Sequence, residues 1–123
     1  MQFFEAINTQ DSILFEKTLL REGQIWSVNH FKEPSSYKMR FFSDNLNLFD
    51  GNKVYTETPY SMEIKWRKGL AMAWVPYEFL VDHKFSHCGI DVFTLVKAEG
   101  VWKISNATYT LERSGCDDLK EKS

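Results

Sequence analysis

The side chains able to move a proton or grip a ligand gather in the second half of the chain. Asp91 stands between Ile90 and Val92 inside the run HCGIDVFTLVK, where a carboxylate is unfavourable to bury unless it is hydrogen-bonded or its pKa rises. A carboxyl group held in apolar surroundings can take a proton beside a substrate carbonyl and return it. The alternative is a structural acceptor, satisfied by Asn106, Trp74 or a water. His87, with an ordinary pKa near neutrality, is the second acid/base candidate. Four residues of regular strand span about 13 Å, so His87 and Asp91 do not form a dyad by themselves, even if Gly89 between them marks a bulge. Glu78, expected directly across a hairpin from His87, is its ion-pair partner in either a structural or a catalytic reading. Cys88 points to the other side of the strand, which rules out a thiol and base couple with His87, and a free cysteine there packs as a small hydrophobe.

Around these two candidates, Trp74, Glu78, Asn106, Tyr60, Trp26 and His30 are the expected pocket lining, with Tyr60 or Asn106 placed to polarise a carbonyl. The tryptophans and Tyr60 suit a flat ligand, or simply a core. His30 has Glu33 nearby and serves equally as a rim residue, and His83 reads as a solvated turn residue. A metal would need His30, His87, Glu78 and Asp91 to converge through a strong curl of the sheet. No metal and no cofactor is expected.

Those residues are positioned by the stretch from Ala71 to Tyr109, which reads as three consecutive antiparallel strands. Asp82 and His83 form the first turn, and Lys97 to Gly100 a four-residue second one. That register sets Glu78 opposite His87, Trp74 opposite Asp91 and Asp91 opposite Asn106. One face then carries Met72, Trp74, Glu78, Phe85, His87, Asp91, Phe93, Trp102, Ile104 and Asn106, the other Ala73, Val75, Tyr77, Cys88, Ile90, Val92, Ala107 and Tyr109. A one-residue slip would exchange the two. Upstream, residues 2–8 and 11–21 read as a helical hairpin closed by Gly23 as C-cap. A strand follows over 24–31, then a loop at Pro34 to Ser36, a third helix from Tyr37 to Phe49 and a strand from Thr56 to Arg67. The charged tail after Cys116 reads as frayed. Both sheet faces are apolar, so helices must cover one and a second copy of the chain the other.

The 123 residues fit one domain, residues 1–123. A net charge of -2 from 15 basic and 17 acidic residues provides no field for nucleic acid or an anionic membrane. No apolar run approaches the roughly 20 residues of a membrane span, and MQFFEAINTQ has no signal-peptide pattern. Two cysteines make neither a disulfide scaffold nor a zinc site, so reduced thiols and a cytoplasmic location are expected.

The run WVPYEFLVDHKFSHCGIDVFTLVK, followed by GVWKI and YTLERSGC, resembles the nuclear transport factor 2-like superfamily, in particular its SnoaL-like, lumazine-binding branch. The resemblance implies an α+β cone. N-terminal helices pack against a strongly curved, antiparallel or mixed β-sheet that encloses an apolar pocket, and the domain usually pairs as a homodimer. It implies a small apolar or aromatic ligand. In enzymatic members such as ketosteroid isomerases and dehydratases, an Asp or His inside the cone transfers the proton, a role that would fall to Asp91 or His87 in an isomerase or lyase reaction. A non-catalytic dimeric interaction module is the remaining possibility. The turn departs from the usual Asp-Gly in carrying Asp82 and His83, and the first helix is short.

Overall fold

The computed structural model describes residues 17–45 and 53–121, nearly all of them in one mixed seven-stranded sheet. Its strands are β1 (Leu19–Asn29), β2 (Ser36–Phe41), β3 (Tyr55–Pro59), β4 (Glu63–Arg67), β5 (Leu70–Val81), β6 (Lys84–Ala98) and β7 (Val101–Leu111). They lie in the order β2-β1-β7-β6-β5-β3, and β4 also pairs with β5. Every pairing is antiparallel except β1 on β7, which is parallel. A single 3-10 turn spans Phe42–Asn45, and a short helix, α1 (Cys116–Glu121), closes the described chain.

The three-stranded meander follows the expectation because long alternating runs meet residues that tolerate tight turns. Asp82 and His83 both take the left-handed conformation, with φ of 50° and 66°, as a two-residue hairpin turn requires. Asp82 in place of a simpler turn residue has a reason. Its carboxyl accepts the Val54 N–H at 2.9 Å and its own N–H donates to the Val54 carbonyl at 2.8 Å, which ties the turn to the start of β3. The second turn is shorter than expected: Glu99 and Gly100, φ 54° and 82°, are its two central residues, and Ala98 pairs with Val101.

Two bulges displace the register. Near the first turn Val81 meets Lys84 and Leu80 meets Phe85, as expected, but the next pair is Phe79 with His87, leaving Ser86 as the extra residue. From there Glu78 faces Cys88, Tyr77 faces Gly89 and Val75 faces Asp91. On the other side Leu95 meets Ile104 while Thr94 meets Asn106, so Asp91 lies opposite Tyr109 and not Asn106. Each bulge inserts one residue, and with a period of two, one residue is enough to exchange the faces.

The first half of the chain departs further. Residues 2–8 and 11–16 of the expected hairpin lie outside the described residues, but its last turn does not stay helical: Leu19, Leu20 and Arg21 already belong to β1. Gly23 is therefore no C-cap. It sits inside β1 where the register against β7 breaks, and a Cβ there would collide with the Phe42 ring and the Ser105 carbonyl. The expected third helix is β2 and the 3-10 turn as far as Asn45, its remaining residues lying outside the description. Tyr37, Met39 and Phe41 fit a strand period as well as a helical one, and pairing with β1 decides between them. Thr56 to Arg67 is two strands, β3 and β4, interrupted at Tyr60 to Met62. As far as Glu121 the tail is helical, as α1.

The core occupies one face, the inner one. Leu19, Ile25, Phe42, Ala73, Val75, Phe93, Ile104 and Ala107 form it, all at most 6% exposed. Tyr55, Phe79, Leu95 and Tyr109 pack against it.

Candidate functional site

Two carboxyl groups lie buried on the inner face. Asp91 comes from the middle of β6 and Glu57 from β3, on the far side of β5; their exposures are 5% and 7%. They are hydrogen-bonded to each other. Burial, which disfavours the charged form, is the main cause that raises both, and for Asp91 the Glu57 charge and the hydrogen bond add to it. Asp91 stands well above the ordinary carboxyl range and is the proton donor of the pair, with Glu57 the acceptor. Its second oxygen, Oδ2, is fully buried and meets no hydrogen-bond partner among the described residues.

Two tyrosines flank the pair, each raised chiefly by burial and further by the nearby carboxyl charges. Tyr77 donates its hydroxyl to the Thr110 carbonyl. Tyr109, opposite Asp91 on β7, accepts a hydrogen bond from the Arg40 guanidinium at 2.9 Å, which leaves its own hydroxyl proton available to another acceptor. Gly89 is required where β6 runs beneath the end of β7, because a Cβ there would meet Thr110. The hydroxyl of Thr110 accepts the Ile90 N–H at 3.0 Å and donates to Glu112 at 2.7 Å.

His87 shares the inner face but belongs to an aromatic cluster. Its ring stacks on Phe79 with centroids 4.8 Å apart and meets the edges of Tyr77 and Phe31 at 5.8 and 5.9 Å. Burial, helped by the Arg113 charge, lowers its pKa to about 4, so near neutral pH it is an uncharged ring. Arg113 lies over the Phe31 ring at 3.9 Å. Nδ1 of His87 is 3.0 Å from the Ser86 hydroxyl.

Of the expected lining, the structure leaves little beside Asp91. Trp74 and Glu78 are on the outer face, with Trp74 46% exposed. Glu78 does not pair with His87; it accepts a hydrogen bond from Tyr60 at 2.7 Å. Asn106 alternates outward and accepts the Thr108 hydroxyl at 3.3 Å. Trp26 donates to Gln24 at 3.1 Å and lies 6.2 Å from the Tyr37 ring. His30 is exposed beyond the end of β1, its N–H bonded to the Leu111 carbonyl. The face exchange produced by the bulges accounts for Trp74, Glu78 and Asn106. Asp91 accordingly shares its face with Val75, Tyr77 and Tyr109.

Sequence reasoning passed over Glu57, Tyr77 and Tyr109 as site residues. Glu57 carries a weak signal: it alternates with Tyr55 across YTETP, which puts it on the aromatic side of a short strand. The cysteines are not reduced thiols. Cys88, fully buried on the outer side of β6, is bonded to Cys116 at the start of α1. Among the described residues no group of three or more His, Cys, Asp or Glu side chains could hold a metal ion, and no helix is long and apolar enough to cross a membrane.

No protein-family profile matches the sequence, and no curated protein matches it significantly. Solved structures do. An NTF2-like protein from Cytophaga hutchinsonii superposes with a TM-score of 0.73 at 13% identity, over 89% of this chain and 89% of that one. An NTF2-like protein of unknown function from Shewanella baltica gives 0.67 at 16% identity, over 92% and 87%. A proposed ketosteroid isomerase from Shewanella frigidimarina gives 0.64 at 20% identity, over 88% and 88%. With likeness of this extent and a bent, mixed sheet of this order, the chain has the NTF2-like fold.

Proposed function

We propose that this domain binds a small, largely apolar or aromatic molecule against the inner sheet face, with the Asp91 and Glu57 pair as its polar anchor. The observation that carries the reading is the buried Oδ2 of a protonated Asp91, which no group among the described residues satisfies. A polar atom of that kind is costly to maintain without a partner, and because the Asp91 proton is engaged with Glu57, a ligand hydroxyl or N–H donating to Oδ2 would supply one. The shared proton favours a second, catalytic reading. A carboxylic acid kept neutral by its surroundings can turn the proton it holds against Glu57 toward a substrate carbonyl, and the Glu57 carboxylate so freed can accept a proton, as isomerase or lyase chemistry requires. The neighbour described as a proposed ketosteroid isomerase is consistent with it. In this reading Asp91 is the acid, Glu57 the base and Tyr109 a further hydrogen-bond donor, while His87 is an aromatic wall. A SnoaL-like, lumazine-binding ancestry would suit the same ligand class.

The outer face supports pairing with a second copy. On β5, Leu70 is 54% exposed and Met72 and Trp74 follow it on the same face, an apolar strip open to a partner. The disulfide favours an oxidising compartment over the cytoplasm.

Native mass spectrometry of the protein from its own host tests these statements together. A dimer that retains a small molecule is the expected result. That compound then serves as the probe: Asp91→Asn is expected to abolish any turnover while binding is retained, and Asp91→Ala to weaken binding at least tenfold, whereas Tyr60→Phe on the outer face leaves both unchanged. A monomer refutes the pairing, and equal loss from Asp91→Ala and Tyr60→Phe refutes the inner-face site.

A further inference from the structure

We propose that α1 is a redox-released strap: reduction of the Cys88–Cys116 bond by a dithiol frees this helix from the outer sheet face and leaves the sheet folded. Six residues are too few for a self-sustaining helix. Two of its side chains reach the outer face. Leu119 reaches a groove of about 480 Å³ that it shares with Ser61, Met62, Glu63, Trp74, Pro76 and Ile90. The Lys120 ammonium lies 5.6 Å from the centre of the Tyr60 ring, exposed to solvent. A helix this short owes its place to a tether, and the bond from Cys116 to Cys88 supplies one.

The sheet does not depend on that bond in the same way. Cys88 exchanges both backbone hydrogen bonds with Glu112, at 2.8 and 2.9 Å, so β6 and the end of β7 are already joined beside it. Tyr77 adds its hydrogen bond to the Thr110 carbonyl two residues earlier. Although the cysteines are 28 residues apart in sequence, the folded sheet has already closed that loop as far as Glu112, and the disulfide further restrains only the few residues from there to Cys116.

Access fixes the order of the exchange. Cys88 is fully buried, whereas Cys116 is half-buried at the helix start. A thiolate of the dithiol attacks Cys116 Sγ and forms a mixed disulfide, and Cys88 leaves as a thiolate that takes up a proton. The second thiol of the reagent then displaces Cys116, the reagent ending as a cyclic disulfide. Two electrons and two protons have passed to the protein, which holds two thiols. Buried Cys88 is stable as a small apolar group. With α1 released, the groove loses its Leu119 wall, and Trp74, Pro76 and Ile90 face solvent.

Hydrogen exchange read by mass spectrometry on the full chain tests the strap, with the oxidised protein compared with protein in dithiothreitol and with Cys116→Ser. Thiol alkylation reports the state of the bond. The expected result is at least tenfold faster exchange in residues 116–121 on reduction and in Cys116→Ser, with β5, β6 and β7 changing less than twofold. Four results would overturn it: protection of α1 that survives reduction, loss of strand protection together with α1, a helix already unprotected when oxidised, or a bond that native protein does not yield to the dithiol.

Discussion

Replacing Asp91 by Asn should flatten the dependence of stability on pH above pH 6.5. In the folded protein Asp91 retains its proton well above the ordinary carboxyl range, whereas in the unfolded chain a normal Asp has lost it by pH 5. The folded state therefore binds the extra proton, and stability falls as pH rises, by up to about 1.4 kcal/mol per pH unit for each proton retained. His87 acts in the opposite sense. Its folded pKa of about 4 lies below the unfolded value of 6.5, so its contribution is lost as pH falls through that interval and is constant above it. The His87 contribution is common to both proteins and cancels in their difference; what remains is the proton that Asp91 retains, at up to about 1.4 kcal/mol per pH unit, together with any change in Glu57, which is raised to about 7 beside it. An asparagine of the same shape cannot titrate, and its amide can still donate to Glu57. Urea unfolding at half-unit steps between pH 6.5 and 8 measures the difference, and subtraction of the two curves removes every group that titrates alike in both proteins. If the two proteins show the same slope, Asp91 is ionised in the folded state, and the shared-proton arrangement is wrong.

Two further outcomes follow from the same surroundings. The His87 imidazole should remain neutral until pH approaches about 4, which side-chain NMR titration checks; a midpoint near 6.5 would mean that the ring is solvated and outside the aromatic cluster. Gly89→Ala should destabilise by about 1–3 kcal/mol, because the added methyl group meets Thr110 where strand backbones approach closely. A urea midpoint unchanged from the parent would show that β6 and β7 are not so tightly apposed there.

What the sequence determined by itself is local. Alternation from Ala71 to Tyr109 specifies three strands, and Asp82 with His83 between two apolar runs specifies a tight hairpin. Asp91 between Ile90 and Val92 is conspicuous as a carboxyl group committed to a strand interior. The same local signal was ambiguous from Tyr37 to Phe41, where alternating apolar residues satisfy two periods and only the pairing with β1 selects the strand. It misled at Gly23, a helix stop by type but in fact a point of close contact with Phe42. The tertiary structure alone decided which side chains surround Asp91. Single-residue bulges at Ser86 and Ser105 leave no mark in composition, yet each reverses the faces beyond it, moving Trp74, Glu78 and Asn106 away and bringing Tyr77 and Tyr109 in. Glu57, more than 30 residues from Asp91 in the chain, reaches it because β3 adds to the far edge of β5. Cys116 likewise meets Cys88 because the register of β6 on β7 brings Glu112 beside it. Strand pairing is a long-range event that no window of sequence contains, and the proton shared by two carboxyl groups exists only after that pairing has excluded water.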